Sequence, residues 1–204
     1  VIIWHRDDEL ILASASPRRA ELLKQVGIPF RQVISKVDED LQDPADPEQH
    51  VRELSRRKAK DVAGRLDSGI VLGADTIVVL DEHILGKPAD QGEAVEMLRH
   101  LSGRTHRVYT GLTLIDAASR GSVSHVEVTE VTFRALTEQE IAAYVATGEP
   151  LDKAGAYGIQ GRGALLVSGI RGCYFNVVGL PLAGLLDLLR RLEGEVRVRK
   201  STEE

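Results

Sequence analysis

The chain has 204 residues, 43% of them hydrophobic and 28% charged, with a net charge of −5. That is enough chain for a sizeable core in one or two domains, and the acidic balance excludes an overall basic field for nucleic acid. The single cysteine, Cys173, excludes an intramolecular disulfide framework and a Cys-rich zinc site, and it fits a reducing compartment. No apolar run is long enough to span a bilayer and no signal peptide is visible, so no membrane partner and a cytoplasmic location are expected. Residues 1–9 and 193–204 read as terminal extensions.

Leu10 to Ala13 reads as a short strand entering Ser14-Ala15-Ser16-Pro17-Arg18-Arg19. Ser16 is a good N-cap and Pro17 suits the first helical position. Leu22, Leu23 and Val26 mark one helix face before Gly27. Arg18 and Arg19 fall in the first turn, where the helix dipole is already positive. With the hydroxyls of Ser14 and Ser16 and the open N–H groups they compose an anion site. The alternative is a capped helix with solvated arginines. Phe30 to Ile34 reads as a second strand leading to the acidic triplet Asp38-Glu39-Asp40, which matters if one oxygen shares a metal with Asp75.

A helix is predicted from Pro47 to about Leu66, with Val51, Leu54, Val62 and Leu66 inward. Lys58 falls within that stripe, a cation aimed at the core. Val71 to Pro88 reads as a buried strand, a functional turn at Gly73–Thr76, then a hairpin turning at Asp81-Glu82. A carboxylate among buried strand residues needs a partner. The hairpin is expected to bring Lys87 back to Asp75, either as a structural ion pair or as an active-site carboxylate beside a cation.

Asp90 with Glu93 and Thr137 with Glu140 form capping-box patterns ahead of two helices. Between them lie strands Thr105 to Ile115, with Gly111 a bulge or close approach, and Ser122 to Phe133, with a bulge expected near Thr129-Glu130. His106 reads as a strand residue and Met97 as core. Glu149 to Ala164 is irregular, pinned by Tyr157 and Ile159. It repeats the carboxylate–cation theme at Asp152-Lys153 and carries Gln160, whose planar amide suits the edge of a base. Leu165 to Val167 and Cys173 to Val178 read as two strands, Cys173 as packing. A last helix is expected to bury Leu182, Leu185, Leu186 and Leu189.

LASASPRRAELL, VLGADTIVVLDEHILGKP, LSGRTHRVYTG, GEPLDKAGAYGIQG and NVVGLP closely resemble the Maf family, in order and in register. These are nucleoside triphosphate pyrophosphatases once described as septum-formation inhibitors. The resemblance implies an α/β fold with an elongated mixed sheet flanked by helices and two lobes with a cleft between them, in one domain over 10–192. It implies hydrolysis of dTTP and UTP to the monophosphate and pyrophosphate with Mg²⁺ or Mn²⁺. Asp75 corresponds to the proton acceptor. Arg18, Thr76 and Gln160 correspond to specificity positions, and Glu39, Lys58 and Lys87 to further polar residues of the cleft. Ser14, Ser16, Arg19 and Lys153 join the substrate-binding set. Glu39 and Asp75 are the expected metal ligands, and Gln160 would pair with the O4 and N3–H edge of uracil or thymine. A homodimer is compatible with the family. A nucleotide-binding regulator of cell division and a pyrophosphatase of modified or purine nucleotides are the alternatives.

Overall fold

The structure, a computed structural model, describes residues 9–38 and 46–202, with side chains up to 194. Glu39 lies outside the described residues. The strands are β1 (Leu10–Leu12), β2 (Phe30–Gln32), β3 (Ile70–Leu80), β4 (His83–Leu85), β5 (Thr105–Asp116), β6 (Ser122–Phe133) and β7 (Val167–Arg171). The helices are α1 (Pro17–Gln25), α2 (Pro47–Ala63), α3 (Gln91–Leu101), α4 (Glu138–Val145), α5 (Tyr174–Val178) and α6 (Leu182–Thr202). The sheet has seven strands in the order β2-β1-β3-β5-β6-β7, with β4 paired to β3. Parallel β1–β2 and β1–β3 pairs and antiparallel β3–β4 and β6–β7 pairs make it mixed, as expected for this α/β chain. Two compact units divide it. The first takes residues up to Asp75, Gly111–Val126 and those from Gly179 on; the second takes Thr76–Thr110 and Glu127–Val178.

In the first unit the predicted strand–turn–helix is present. Ser16 caps α1 by accepting the Arg19 N–H, with Pro17 in the first turn. α2 ends at Ala63, so Leu66 lies beyond it and is only half-buried. Ala59, Val62 and Ala63 pack α2 onto Ile11, Ala13, Val71 and Ile115. Two glycines let the helix backbone come down onto the sheet. A Cβ on Gly73 would meet Ser55 O at 2.2 Å, and one on Gly111 would meet Val51 O at 2.2 Å. Gly111 is therefore the close approach that its sequence context suggested. α6 buries Leu185, Leu188, Leu189 and Leu192, while Leu182 and Leu186 are half-exposed. The apolar stripe is thus rotated from the expected one.

One expectation fails in β3. Gly73–Thr76 is no turn: Ile70–Leu80 is one uninterrupted strand. The turn comes later, at Asp81-Glu82, where φ is 47° and 68°. Two successive left-handed residues give the tight hairpin that matches strand twist.

In the second unit α4 carries its full capping box. At α3 only half of it forms: Asp90 accepts the Glu93 N–H at 2.9 Å, but the Glu93 carboxylate takes the N–H of Ala89. Met97 is buried, as expected. β6 turns odd-numbered residues inward at Thr129, Val131 and Phe133, with Val126 and Val128 half-buried, and the register shift opposite β7 lies at Thr132/Phe133 rather than at 129–130. The two late strands are corrected. Gly161–Leu166 is a short 3-10 turn, β7 follows it, and Tyr174–Val178 is helical. Its aromatic and β-branched run has strand propensity, but the buried hydrogen bonds of Asn176 require the helical turn.

His106 is a core residue of this unit. Its Nε2 lies 2.7 Å from the Tyr157 hydroxyl, and its ring meets Phe133 and Tyr157 edge-on. Burial lowers its pKa from 6.5 to about 4. Between those values the unfolded chain binds the extra proton, so stability rises with pH across that window and is lost as pH falls from 6.5 to 4. The loss is about 3 kcal/mol. Denaturant unfolding at pH 7 and pH 4.5 checks this: His106→Gln should narrow the difference between the two, whatever its own stability.

Candidate active site

Strand period and helix period meet at Asp75. Residues 73 and 75 share one face of β3, and Gly73 is where α2 touches that face. Lys58, one turn beyond Leu54, therefore projects at Asp75, and its Nζ donates to Asp75 Oδ1 at 2.7 Å. Both residues are 7% exposed. Among the described residues, Lys58 alone bonds the Asp75 carboxylate. The inward cation was legible on the helical wheel; its partnership with Asp75 was not. The expected partner, Lys87, is exposed. The hairpin pairs Val78 with Leu85 and Val79 with Ile84, and carried on in register that places residue 87 opposite 76.

His50 was missed. It stands on the same i, i+4 row as Leu54 and Lys58, which is the signal that could have found it. Burial lowers its pKa, the Asp75 carboxylate raises it and the Lys58 ammonium lowers it further. Its Nδ1 is buried without a hydrogen-bond partner.

The turn into α1 is held from within. Arg19 is 8% exposed. Its Nε donates to Gly179 O at 2.8 Å, and its Nη1 to Ser14 Oγ at 2.9 Å and Ala74 O at 3.0 Å. Arg19 thus ties the α1 turn to the peptide just before Asp75, a role the sequence reading assigned to substrate. Ser14 Oγ also accepts the Ser16 N–H at 3.2 Å, so its own proton is what it has left to give another group. Ser16 Oγ accepts the Arg19 N–H as the α1 cap and likewise keeps its own proton. Arg18, beside Arg19, is half-exposed. The arginines therefore differ: Arg19 is buried in the frame and Arg18 is half-exposed.

In the second unit, Thr76 is half-buried and its Oγ1 lies 2.9 Å from Thr110 Oγ1. The irregular segment is confirmed as three short 3-10 turns, with Tyr157 and Ile159 buried. Glu149 staples it. Its Oε1 accepts from the Tyr144 hydroxyl at 3.0 Å and the Gly163 N–H at 3.1 Å, and its Oε2 accepts the Arg162 N–H at 3.2 Å. Lys153 donates to Glu149 O and Asp152 Oδ1, each at 2.6 Å, so two of its three N–H groups brace the loop. Gln160 is exposed at the start of the Gly161–Leu166 turn, and its side chain caps nothing.

A buried acid–ammonium pair set in a sheet strand, with the Ser14–Arg19 turn braced onto the same strand by Arg19, is the kind of arrangement found at functional sites of α/β proteins. The chain belongs to the Maf-like protein family, whose model matches residues 9–192. It is 53% identical over 183 residues to a dTTP/UTP pyrophosphatase of Pelotomaculum thermopropionicum, covering 90% of this chain and 96% of that protein. It is 56% identical over 183 residues to a dTTP/UTP pyrophosphatase of Moorella thermoacetica, covering 89% and 93%. A HAM1 protein structure from Coxiella burnetii aligns with a TM-score of 0.42 at 16% identity, over 61% of this chain and 72% of that one. No helix among the described residues is long and apolar enough to cross a membrane.

Proposed function

We propose that this protein hydrolyses nucleoside triphosphates, dTTP and UTP foremost, to the monophosphate and pyrophosphate through water attack at the α-phosphorus. The observation that carries this reading is the buried Lys58–Asp75 pair, whose Asp75 lies in the motif from which the resemblance to the family carries over the proton acceptor. The names of relatives more than half identical over nearly their whole length support the choice of substrate.

Lys58 fixes Asp75 Oδ1, which leaves Oδ2 to take the proton of the attacking water. Lys58, Arg18 and Lys87 supply positive charge for the phosphoryl oxygens, where positioned cations do most of the work. The Ser14 hydroxyl donates to a phosphate oxygen. Gln160 reads the base, its amide N–H meeting a carbonyl of uracil or thymine.

A divalent cation is compatible with this donor set. Among the described residues no group of three His, Cys, Asp or Glu forms a metal cage. Mg²⁺ needs no such cage, since it keeps several waters and takes one or two carboxylates together with substrate phosphates. Asp75, with Glu39, would hold it. Such an ion supplies charge neutralisation and a more acidic bound water. The cytoplasm, where these nucleotides are made and Cys173 stays reduced, fits as the location.

The test is a turnover panel of standard and modified nucleoside triphosphates with Mg²⁺ or Mn²⁺ and product identification. Pyrophosphate with dTMP or UMP is expected. Turnover confined to purine nucleotides would keep the chemistry and remove the assignment of Thr76 and Gln160, while tight binding without turnover would describe a nucleotide-binding regulator. In the same panel Gln160→Ala should lower kcat/KM for UTP about tenfold and compress the preference among bases, with the metal requirement unchanged. Full pyrimidine preference in that variant would remove Gln160 from recognition.

A further inference from the structure

The proposed mechanism leaves His50 without a task. It stands on the α2 row that continues through Leu54 to Lys58, so its ring lies on the flank of the helix that turns Lys58 to Asp75. The charges that act on the ring are those of the Asp75 carboxylate and the Lys58 ammonium, which places it beside that pair. Its Nδ1 is buried without a hydrogen-bond partner, while the residue as a whole keeps part of its surface open. A hydrogen on Nδ1 would be a buried donor with nothing to accept it, which folded proteins almost never tolerate; a bare lone pair there costs less. The ring proton therefore sits on Nε2. Burial opposes a second proton more than Asp75 invites one, and holds the pKa below 6.5, so the ring is neutral at pH 7.

That leaves Nε2–H as the atom with something to give. Asp75 does not take it, since Lys58 alone bonds that carboxylate among the described residues. We propose that His50 is a substrate-binding residue of this site, its Nε2–H donating to a non-bridging phosphate oxygen of the nucleoside triphosphate. This rests on the reading of Asp75 as the proton acceptor, which brings the reacting phosphate to that carboxylate. The chemistry suits the neighbourhood. A neutral donor adds a hydrogen bond to a polyanion without setting a second cation beside Lys58, where like charges would repel before the substrate arrives. The unpaired Nδ1 costs stability and gains nothing within the fold, as expected of a group shaped for a ligand rather than for packing.

The test begins with the unaltered protein. With nitrogen-15 in the histidine rings and the His50 signals assigned through the backbone, NMR at neutral pH should show a protonated Nε2 and a bare Nδ1. The Nε2 signal should shift when α,β-imido-UTP, which resists cleavage at the α-phosphorus, is added with Mg²⁺. A proton on Nδ1, or an Nε2 signal that ignores the nucleotide, overturns the assignment and needs no variant to fold. His50→Leu should raise KM for UTP about tenfold, the scale of one hydrogen bond to a charged group, with the loss in KM rather than kcat. Its melting temperature should stay level or rise, because an apolar side chain replaces an unpaired buried nitrogen. His50→Gln, whose amide N–H reaches as far as Nε2–H, should recover the KM, and His50→Asn, which ends at the level of Nδ1, should not. CTP, as substrate or competing inhibitor, should weaken by the same factor as UTP, since both carry the same triphosphate. A factor that depends on the base would take the donor away from phosphate and overturn the proposal. So would His50→Leu with a lowered melting temperature and an unchanged KM, the signature of a packing residue. Each of these leaves pyrophosphate release from UTP standing, whereas absence of UTP turnover in the unaltered protein overturns the proposed function and this inference with it.

Discussion

Asp75→Asn lowers kcat/KM for UTP by about a thousandfold, the scale of a lost general base. The substitution keeps the shape of the side chain and an oxygen for the Lys58 ammonium, 2.7 Å away in the parent protein. It removes the proton acceptor and takes the negative charge out of the buried Lys58–Asp75 pair, which costs about 3 kcal/mol of stability. The two effects are separable. In Asp75→Asn/Lys58→Met both charges of the buried pair are gone, so the melting temperature should recover while activity stays lost. Initial rates of pyrophosphate release, taken well below the melting temperature of each variant, provide the measurement. Asp75→Asn turning over UTP within tenfold of the parent would remove Asp75 from the chemistry.

The second large effect comes from a residue with no side chain. A methyl group on Gly73 would stand 2.2 Å from Ser55 O and 2.7 Å from Ala59 N. Those are backbone atoms of α2, so no rotamer change relieves the overlap and the helix itself must move. Gly73→Ala should therefore cost about 3 kcal/mol, at the upper end for overpacking. Because the displaced helix carries Lys58, turnover should fall with it. Gly86→Ala is the matched control, for a Cβ there meets nothing within 4 Å. Denaturant midpoints and kcat for the two variants decide the matter. Equal behaviour would mean that close contact between α2 and β3 does not hold the pair in place.

Much of this was legible in the sequence where periodicity and local hydrogen bonding govern. The Ser16 and Thr137 caps, the Asp81-Glu82 turn and the inward Lys58 each follow from residues within a few positions of one another. What escaped depends on distant packing. Asp75 pairs with Lys58 rather than Lys87 because two glycines seat α2 on the sheet, and a helix-to-sheet contact leaves no periodic trace in the residues between 58 and 75. Arg19 reads as an anion ligand from its helix-terminal position, yet it is turned inward by the carbonyls of Ala74 and Gly179, the second of them 160 residues away. Tyr174–Val178 has the composition of a strand and is held as a helical turn by Val108 and Thr129, residues on other strands.

The strand β3 assigns its two central residues to different tasks. Asp75 faces α2 and Lys58, while the side chain of Thr76, one step along the pleat, points to the opposite face and meets Thr110. With Asp75 as the proposed proton acceptor and Thr76 as a proposed specificity position, this arrangement would make the reaction and its choice of base separately heritable in a lineage of duplicated genes. On those proposed roles, substitutions around Thr76 would shift one copy to a new nucleotide while the acid–ammonium pair is inherited intact, and the intermediate forms would remain working enzymes.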